Sequence, residues 1–227
     1  MKGDGVSVIK VTLMKKVLEG NEDAAEANRQ RMKDAGIFSV DMMSSPGSGK
    51  TTILERTLDA LVADLNIAVV QGDVYTTRDA ERVEARGARA VQINTEGACH
   101  LDATVVGEAL GDLDLSDTDI LFVENVGNLI CPTGFELGTD QRVMVLGVTE
   151  GSDKPEKYPA MFRRCSVVLV NKIDLLPVLG MDLADFTDAI RSVNPEIEIL
   201  PVSALTGEGM EAWYQWLKDG LIARREE

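Results

Sequence analysis

Short, uninterrupted apolar runs separated by helical patterns dominate the chain beyond residue 36. They occupy residues 37–43, 67–71, 88–93, 120–123, 143–148, 167–170 and 197–202. Runs such as Val167, Val168, Leu169 and Val170 are continuous, not alternating, as expected where helices cover both faces of a parallel sheet. Residues 13–36 read differently. There the chain is polar, with apolar positions such as Val17, Leu18, Ala24, Ala27 and Met32, and it closes on Gly36, a residue suited to a helix C-cap. This pattern predicts helix, in two pieces broken near Gly20 and Asn21. The fold class is therefore α/β, a doubly wound and mostly parallel sheet with helices on both faces in residues 37–227. An N-terminal helical extension, residues 1–36, precedes it. Ligands bind such sheets beyond the carboxyl ends of the strands, so the turn after each run is where chemistry is to be sought.

At 227 residues the chain is long enough for one sizeable core and short for two. A composition of 44% hydrophobic and 27% charged residues supports a packed core and excludes a disordered chain. The formal net charge of -15 repels a phosphate backbone, which argues against nucleic acid as a partner. A nucleotide would need a locally positive pocket. The three cysteines, Cys99, Cys131 and Cys165, cannot all pair with one another and match no secreted disulfide framework, so a cytoplasmic setting is expected. No stretch approaches the ~20 apolar residues of a membrane span, and no membrane partner is expected.

Ser44, Ser45, Pro46, Gly47, Ser48, Gly49, Lys50 and Thr51 follow a predicted strand and precede a helical pattern at residues 52–65, the context a phosphate loop requires. Gly47 and Gly49 let backbone N–H groups around Ser48 and Thr52 turn toward phosphates at a helix N-terminus. Lys50 would reach the β- and γ-phosphates, and Thr51 would supply a hydroxyl to Mg²⁺. The first signature position is Ser44 in place of glycine. Asn171, Lys172, Ile173 and Asp174 follow another buried run; the Asp174 carboxylate can accept both the N1–H and the exocyclic amine of guanine, a donor pair that adenine lacks. In register with the phosphate loop, this selects GTP over ATP. Backbone N–H groups at Ser203 and Ala204 are candidates for guanine O6. Asp73 and Glu124, each at a strand end, are candidates for Mg²⁺ and catalysis, and Gly127 for sensing the γ-phosphate through its amide. The competing reading of both acids is a solvated loop carboxylate.

Cys99 and His100, the sole histidine, open a predicted helix at residues 101–110, and Cys131 is followed by Pro132. Thiolate and imidazole suit Zn²⁺ or Ni²⁺, and a helix N-terminus would lower the Cys99 pKa toward the ligating form. Three ligands do not close a tetrahedral site; water, Asp102 or a group from a second molecule would supply the fourth. Scattered cysteines are also common as packing residues. Cys165, beside a buried run, is read as such.

These strings together resemble one family, the HypB hydrogenase-maturation GTPases. The likeness runs from Asn28 and Arg29 through the phosphate loop, Gly72 and Asp73, Thr77, Asp79 and Ala80, and residues 92–103 with Cys-His-Leu-Asp. It continues through Glu124, Asn125, Val126, Gly127, Asn128, Leu129, Ile130, Cys131 and Pro132, residues 149–159, Asn-Lys-Ile-Asp-Leu-Leu-Pro and residues 203–210. The resemblance implies a P-loop NTPase that hydrolyses GTP to GDP slowly and couples this to nickel delivery for [NiFe]-hydrogenase. It implies a homodimer promoted by GTP, with Cys99, His100 and Cys131 binding nickel or zinc. The implied partners are the zinc-bearing nickel metallochaperone HypA and, indirectly, the hydrogenase large-subunit precursor. The chain has no cysteine before Cys99 and no histidine-rich run, so high-capacity nickel storage is not expected. The alternatives are a related nucleotide-driven metallochaperone serving urease or a cobalamin enzyme, and a GTP-regulated carrier that does not hydrolyse its nucleotide.

Overall fold

The computed structural model describes residues 5–73, 82–95 and 97–227, with side chains described from residue 18 onward apart from that of Asp73. The elements are α1 (Gly5–Asp34), β1 (Phe38–Ser44), α2 (Lys50–Leu61), β2 (Ile67–Asp73), β3 (Arg89–Asn94), α3 (Ala103–Asp112), β4 (Ile120–Glu124) and β5 (Gln141–Gly147). They continue with α4 (Lys154–Lys157), α5 (Pro159–Arg163), β6 (Val167–Asn171), α6 (Leu176–Leu179), α7 (Leu183–Val193), β7 (Glu198–Val202) and α8 (Met210–Glu226). The strands pair in parallel in the order β3-β2-β4-β1-β5-β6-β7. Each apolar run of the sequence becomes one of them.

Helices on both faces explain why those runs are unbroken. On one face, Ile53 and Leu58 of α2 and Trp213 and Leu217 of α8 pack on Val40, Met42, Val69 and Val145. The opposite face is covered in two parts. Met32 of α1 with Val106 and Leu110 of α3 lies over Ala68, Val70, Leu121 and Val123. Phe162 of α5 with Phe186 and Ile190 of α7 lies over Met144, Leu146, Val168 and Val170. All residues of β1, β4 and β6 are buried, so the central strand ends open from an inaccessible core onto one rim. That rim carries the chemistry.

Two helices differ from expectation. α1 is one continuous helix through Gly20 and Asn21, not two pieces. An interior glycine costs only ~1 kcal/mol relative to alanine, and Asn21 is buried and hydrogen-bonded, which offsets it. The helix does end as expected: Gly36 has φ +67°, and the Ile37 N–H reaches the Met32 carbonyl at 3.0 Å, a Schellman closure. α3 starts at Ala103, with Asp102 as its N-cap, so Cys99 and His100 lie in the bend before the helix and not at its N-terminus.

Candidate functional site

β1 runs into the phosphate loop, and α2 begins at Lys50, two residues earlier than the pattern suggested. Gly49 has φ +97°, and any Cβ there would collide with the Asn171 amide. Glycine is thus required twice over, by backbone and by neighbour. The contact also joins the two nucleotide motifs. Asn171 donates through Nδ2 to the Ser48 carbonyl at 2.8 Å and accepts through Oδ1 from the Ala204 N–H at 3.1 Å. Lys172, the non-glycine residue with positive φ among those described, donates through Nζ to the Gly47 carbonyl at 2.6 Å. Ser203 Oγ donates to Asp174 Oδ1 at 2.6 Å.

The backbone N–H groups at Ser203 and Ala204, read from sequence as donors to guanine O6, are engaged inside the protein. The Ser203 N–H goes to the Glu208 carbonyl at 2.8 Å and that of Ala204 to Asn171. Ser203 instead orients the Asp174 carboxylate.

A cavity of about 590 Å³ lies over the phosphate loop, lined also by Gln71, Glu124, Asn125, Gly127 and Lys172. Of these, Glu124 is buried. Register across the sheet sets it opposite Met42 of β1 and Gln71 of β2. Its Oε1 takes hydrogen bonds from Lys50 Nζ at 3.0 Å and Thr51 Oγ1 at 2.6 Å, and its Oε2 one from Gln71 Nε2 at 2.7 Å. Burial would push this carboxyl up, but Lys50, Thr51 and Gln71 outweigh it and hold it below the usual carboxylate range. It is no solvated loop acid. The donor set around it, one ammonium, one hydroxyl and a carboxylate, fits a phosphate with Mg²⁺. Gly127 approaches the phosphate loop so closely that a Cβ would lie 3.2 Å from the Pro46 nitrogen. Asp73 ends β2 opposite Asn94, but its side chain lies outside the described residues, as do Thr77, Asp79 and Ala80.

Asn125 was not singled out by sequence. Its Oδ1 accepts from the Leu101 N–H at 3.2 Å and the Val126 N–H at 3.0 Å, and its Nδ2 donates to Asp41 at 3.1 Å. Its carbonyl accepts from Lys50 Nζ at 2.6 Å. One residue therefore ties the phosphate-loop lysine to the segment carrying Cys99 and His100.

Cys99, His100 and Cys131 come together, each offering a ligand atom within 4.8 Å of the others, with Cys99 Sγ 3.5 Å from His100 Nδ1. Cys131 heads the 3₁₀ turn Cys131–Gly134, and its N–H, like that of Ile130, is held by Asn128 Oδ1. The His100 ring lies 4.1 Å from that of Phe135. Burial holds the His100 pKa down, against a smaller opposing effect of Asp102, which favours the neutral imidazole that metals need. The expected lowering of the Cys99 pKa does not occur. Its thiol is pushed up, chiefly by a hydrogen bond with Cys131 and then by burial. Two facing sulfurs and an imidazole at this spacing fit a soft divalent cation, which would displace the thiol protons. Asp102 is not in the cluster; its Oδ1 caps α3 by accepting from the N–H groups of Thr104 at 2.9 Å and Val105 at 3.1 Å. Cys165 is a core residue as read, its buried thiol donating to the Met161 carbonyl at 3.2 Å.

Among the described residues no helix is long and apolar enough to cross a membrane. Residues 40–201 match the family model described as CobW/HypB/UreG, nucleotide-binding domain. The chain is 50% identical over 202 residues to the hydrogenase maturation factor HypB of Escherichia coli (strain K12), covering 89% of this chain and 70% of the relative. Its fold resembles the crystal structure of that factor from Archaeoglobus fulgidus, with TM-score 0.84, 38% identity and coverage of 89% and 99% of the two chains. It also resembles HypB from Helicobacter pylori in complex with nickel, with TM-score 0.86, 35% identity and coverage of 91% and 97%. The chain thus carries a P-loop nucleotide-binding domain and belongs to the HypB family of hydrogenase maturation factors.

Proposed function

We propose that this chain is a GTP-hydrolysing metallochaperone in which nucleotide state governs nickel held by Cys99, His100 and Cys131 for delivery to a hydrogenase. The observation that carries this reading is the continuous connection from Lys50 to the cysteines. Glu124 and Asn125 receive the Lys50 ammonium, Asn125 also holds the Leu101 N–H, and the same loop runs on through Gly127 to Cys131. A γ-phosphate competing for Lys50 and Thr51 would release Glu124 and draw Gly127 inward, moving Cys131 relative to Cys99 and His100. Nucleotide and metal would then be coupled ligands.

In hydrolysis, water attacks the γ-phosphorus and GDP leaves. Lys50 and the amides of the phosphate loop at Gly47, Ser48, Gly49 and Thr52 would stabilise the charge spreading over the phosphoryl oxygens. Thr51, Asp73 and Glu124 would hold Mg²⁺, which supplies further charge neutralisation when bound. Asn171, Lys172 and Asp174 would hold and read guanine, with Ser203 and Ala204 bracing them. Gln71, the glutamine in the cavity lining, is engaged by Glu124, and no arginine lines the cavity, so turnover would be slow until a partner completes the site. GTP would promote a homodimer whose second copy supplies the remaining metal ligands. A zinc-bearing nickel metallochaperone of the HypA kind would be the donor or acceptor partner in the cytoplasm.

The test is Ni²⁺ titration of the parent, Cys99→Ala and Lys50→Ala with GDP and with a non-hydrolysable GTP analogue, following mass, together with phosphate release from GTP by the parent and Lys50→Ala. The expected outcome is a change of about 5–150-fold in the parent's Ni²⁺ affinity between nucleotides, lost in Lys50→Ala. Equal affinity and mass with both nucleotides, or equal phosphate release by Lys50→Ala, would sink the reading.

A further inference from the structure

Helix α1 reaches both metal-bearing segments through two buried asparagines, Asn21 and Asn28, two helical turns apart on one face. Asn21 Oδ1 accepts from the Ala103 N–H at 2.8 Å, while its Nδ2 donates to the Glu136 carbonyl at 2.8 Å. Asn28 Nδ2 donates to the carbonyls of Ala103 at 2.8 Å and Leu137 at 3.1 Å. Ala103 closes the segment that begins at Cys99 and His100. Glu136 and Leu137 follow the turn that begins at Cys131. Each asparagine therefore bonds to both segments at once, alongside the direct contacts of Cys99 with Cys131 and of His100 with Phe135.

The fit is close on both sides. A Cβ on Gly138 would collide with the backbone of α1 at Ala25 and Arg29, and one on Gly107 of α3 would lie 2.8 Å from Asn28 Oδ1. Apolar side chains would have sufficed to dock a helix. Buried amides satisfied at both ends do more, because each fixes distance and direction and is costly to leave half-bonded.

We propose that α1 is a clamp for the metal site: Asn21 and Asn28 are positioning residues that set the separation of the Cys99–His100 bend from Cys131, and so the affinity for the cargo ion. This rests on the reading of that cluster as a metal site. Partners that orient metal ligands are worth about 10–100-fold in affinity when removed. Asn28→Ala removes the donor to both segments, and Asn21→Ser shortens the second bridge more gently.

The experiment measures Ni²⁺ affinity by chelator competition for the full chain, alongside GDP affinity, thermal unfolding and amide exchange at residues 101–103 and 136–137. Both variants are expected to lose about tenfold or more in Ni²⁺ affinity, with faster exchange in both segments and GDP affinity within about twofold of the parent. Parent-like Ni²⁺ affinity in both variants overturns the clamp. So does an equal loss of Ni²⁺ and GDP affinity, which marks general destabilisation, and Asn21→Ser carries the test if Asn28→Ala does not fold. A parent that binds no Ni²⁺, or Cys99→Ala binding it as the parent does, overturns the metal-site reading and this one with it.

Discussion

Asp174 owes its orientation to the Ser203 hydroxyl, 2.6 Å from Oδ1. On the proposed function, a carboxylate so fixed would offer two acceptors to the two donors of guanine. Asp174→Asn turns one acceptor into a donor, which mismatches guanine and matches xanthine, whose C2 bears a carbonyl. Each charged hydrogen bond is worth about 1.5–3 kcal/mol, so GTP affinity should fall about 10–100-fold while xanthosine triphosphate gains, as read by competition with a fluorescent nucleotide. Unchanged preference would refute the base assignment. The Asn-Lys-Ile-Asp motif could be picked out because it is contiguous, and its Asn171 and Lys172 do meet the phosphate loop. Gln71 and Asn125 could not be, because their partners are set by strand register and loop closure: Gln71 meets Glu124 only once β2 and β4 align. Asn21 was read only as a point of helix break and Asn28 only as the start of the family likeness; their bridging partners, Ala103, Glu136 and Leu137, are set by tertiary packing.

Asp102 shows how an element decides a residue's role. Sequence made it a possible fourth metal ligand, whereas the start of α3 at Ala103 makes it the cap that satisfies two otherwise orphaned N–H groups. Asp102→Ala should therefore lower stability by about 1 kcal/mol, seen as a modest fall in melting temperature, and leave Ni²⁺ affinity within about threefold. A larger loss of affinity with unchanged melting would make it a ligand after all. The strands were legible because full burial on both faces imposes an unbroken apolar run. Helix boundaries were less so. Gly20 suggested a break in α1, yet nothing lies within 4 Å of where its Cβ would sit, and packing carries the helix through. The shift of α3 by two residues also removed the dipole argument for Cys99, whose thiol is governed by Cys131.

At the scale of the whole molecule, the sheet buries a carboxyl at its centre. Asp41 of β1 is pushed up from 3.8 to about 6, by burial first, against the pull of Arg142 and the Asn125 amide. Between those values the folded state holds a proton that the unfolded chain has released, so folding stability falls as pH rises through the window. The loss amounts to about 3 kcal/mol in all, at ~1.36 kcal/mol per pKa unit. Glu124, held low, has the opposite sign: its contribution is present above the ordinary carboxylate value and lost as pH falls through its own lower one. Asp41→Asn should accordingly flatten the decline in melting temperature between about pH 4 and 6.5. A decline as steep as the parent's would mean that the proton resides elsewhere. The same central strand leads into the phosphate loop, where Ser48 and Gly47 are already bonded to Asn171 and Lys172. On the proposed function, the halves that would read base and phosphate are thus joined before any nucleotide arrives. Encounter would then need no folding of these two motifs around the ligand, and preference among purines would reside in how long each stays, not in how fast it arrives. Only afterwards must Lys50 and Thr51 let go of Glu124. Binding on this reading has two beats, a docking that scales with nucleotide concentration and a rearrangement that does not.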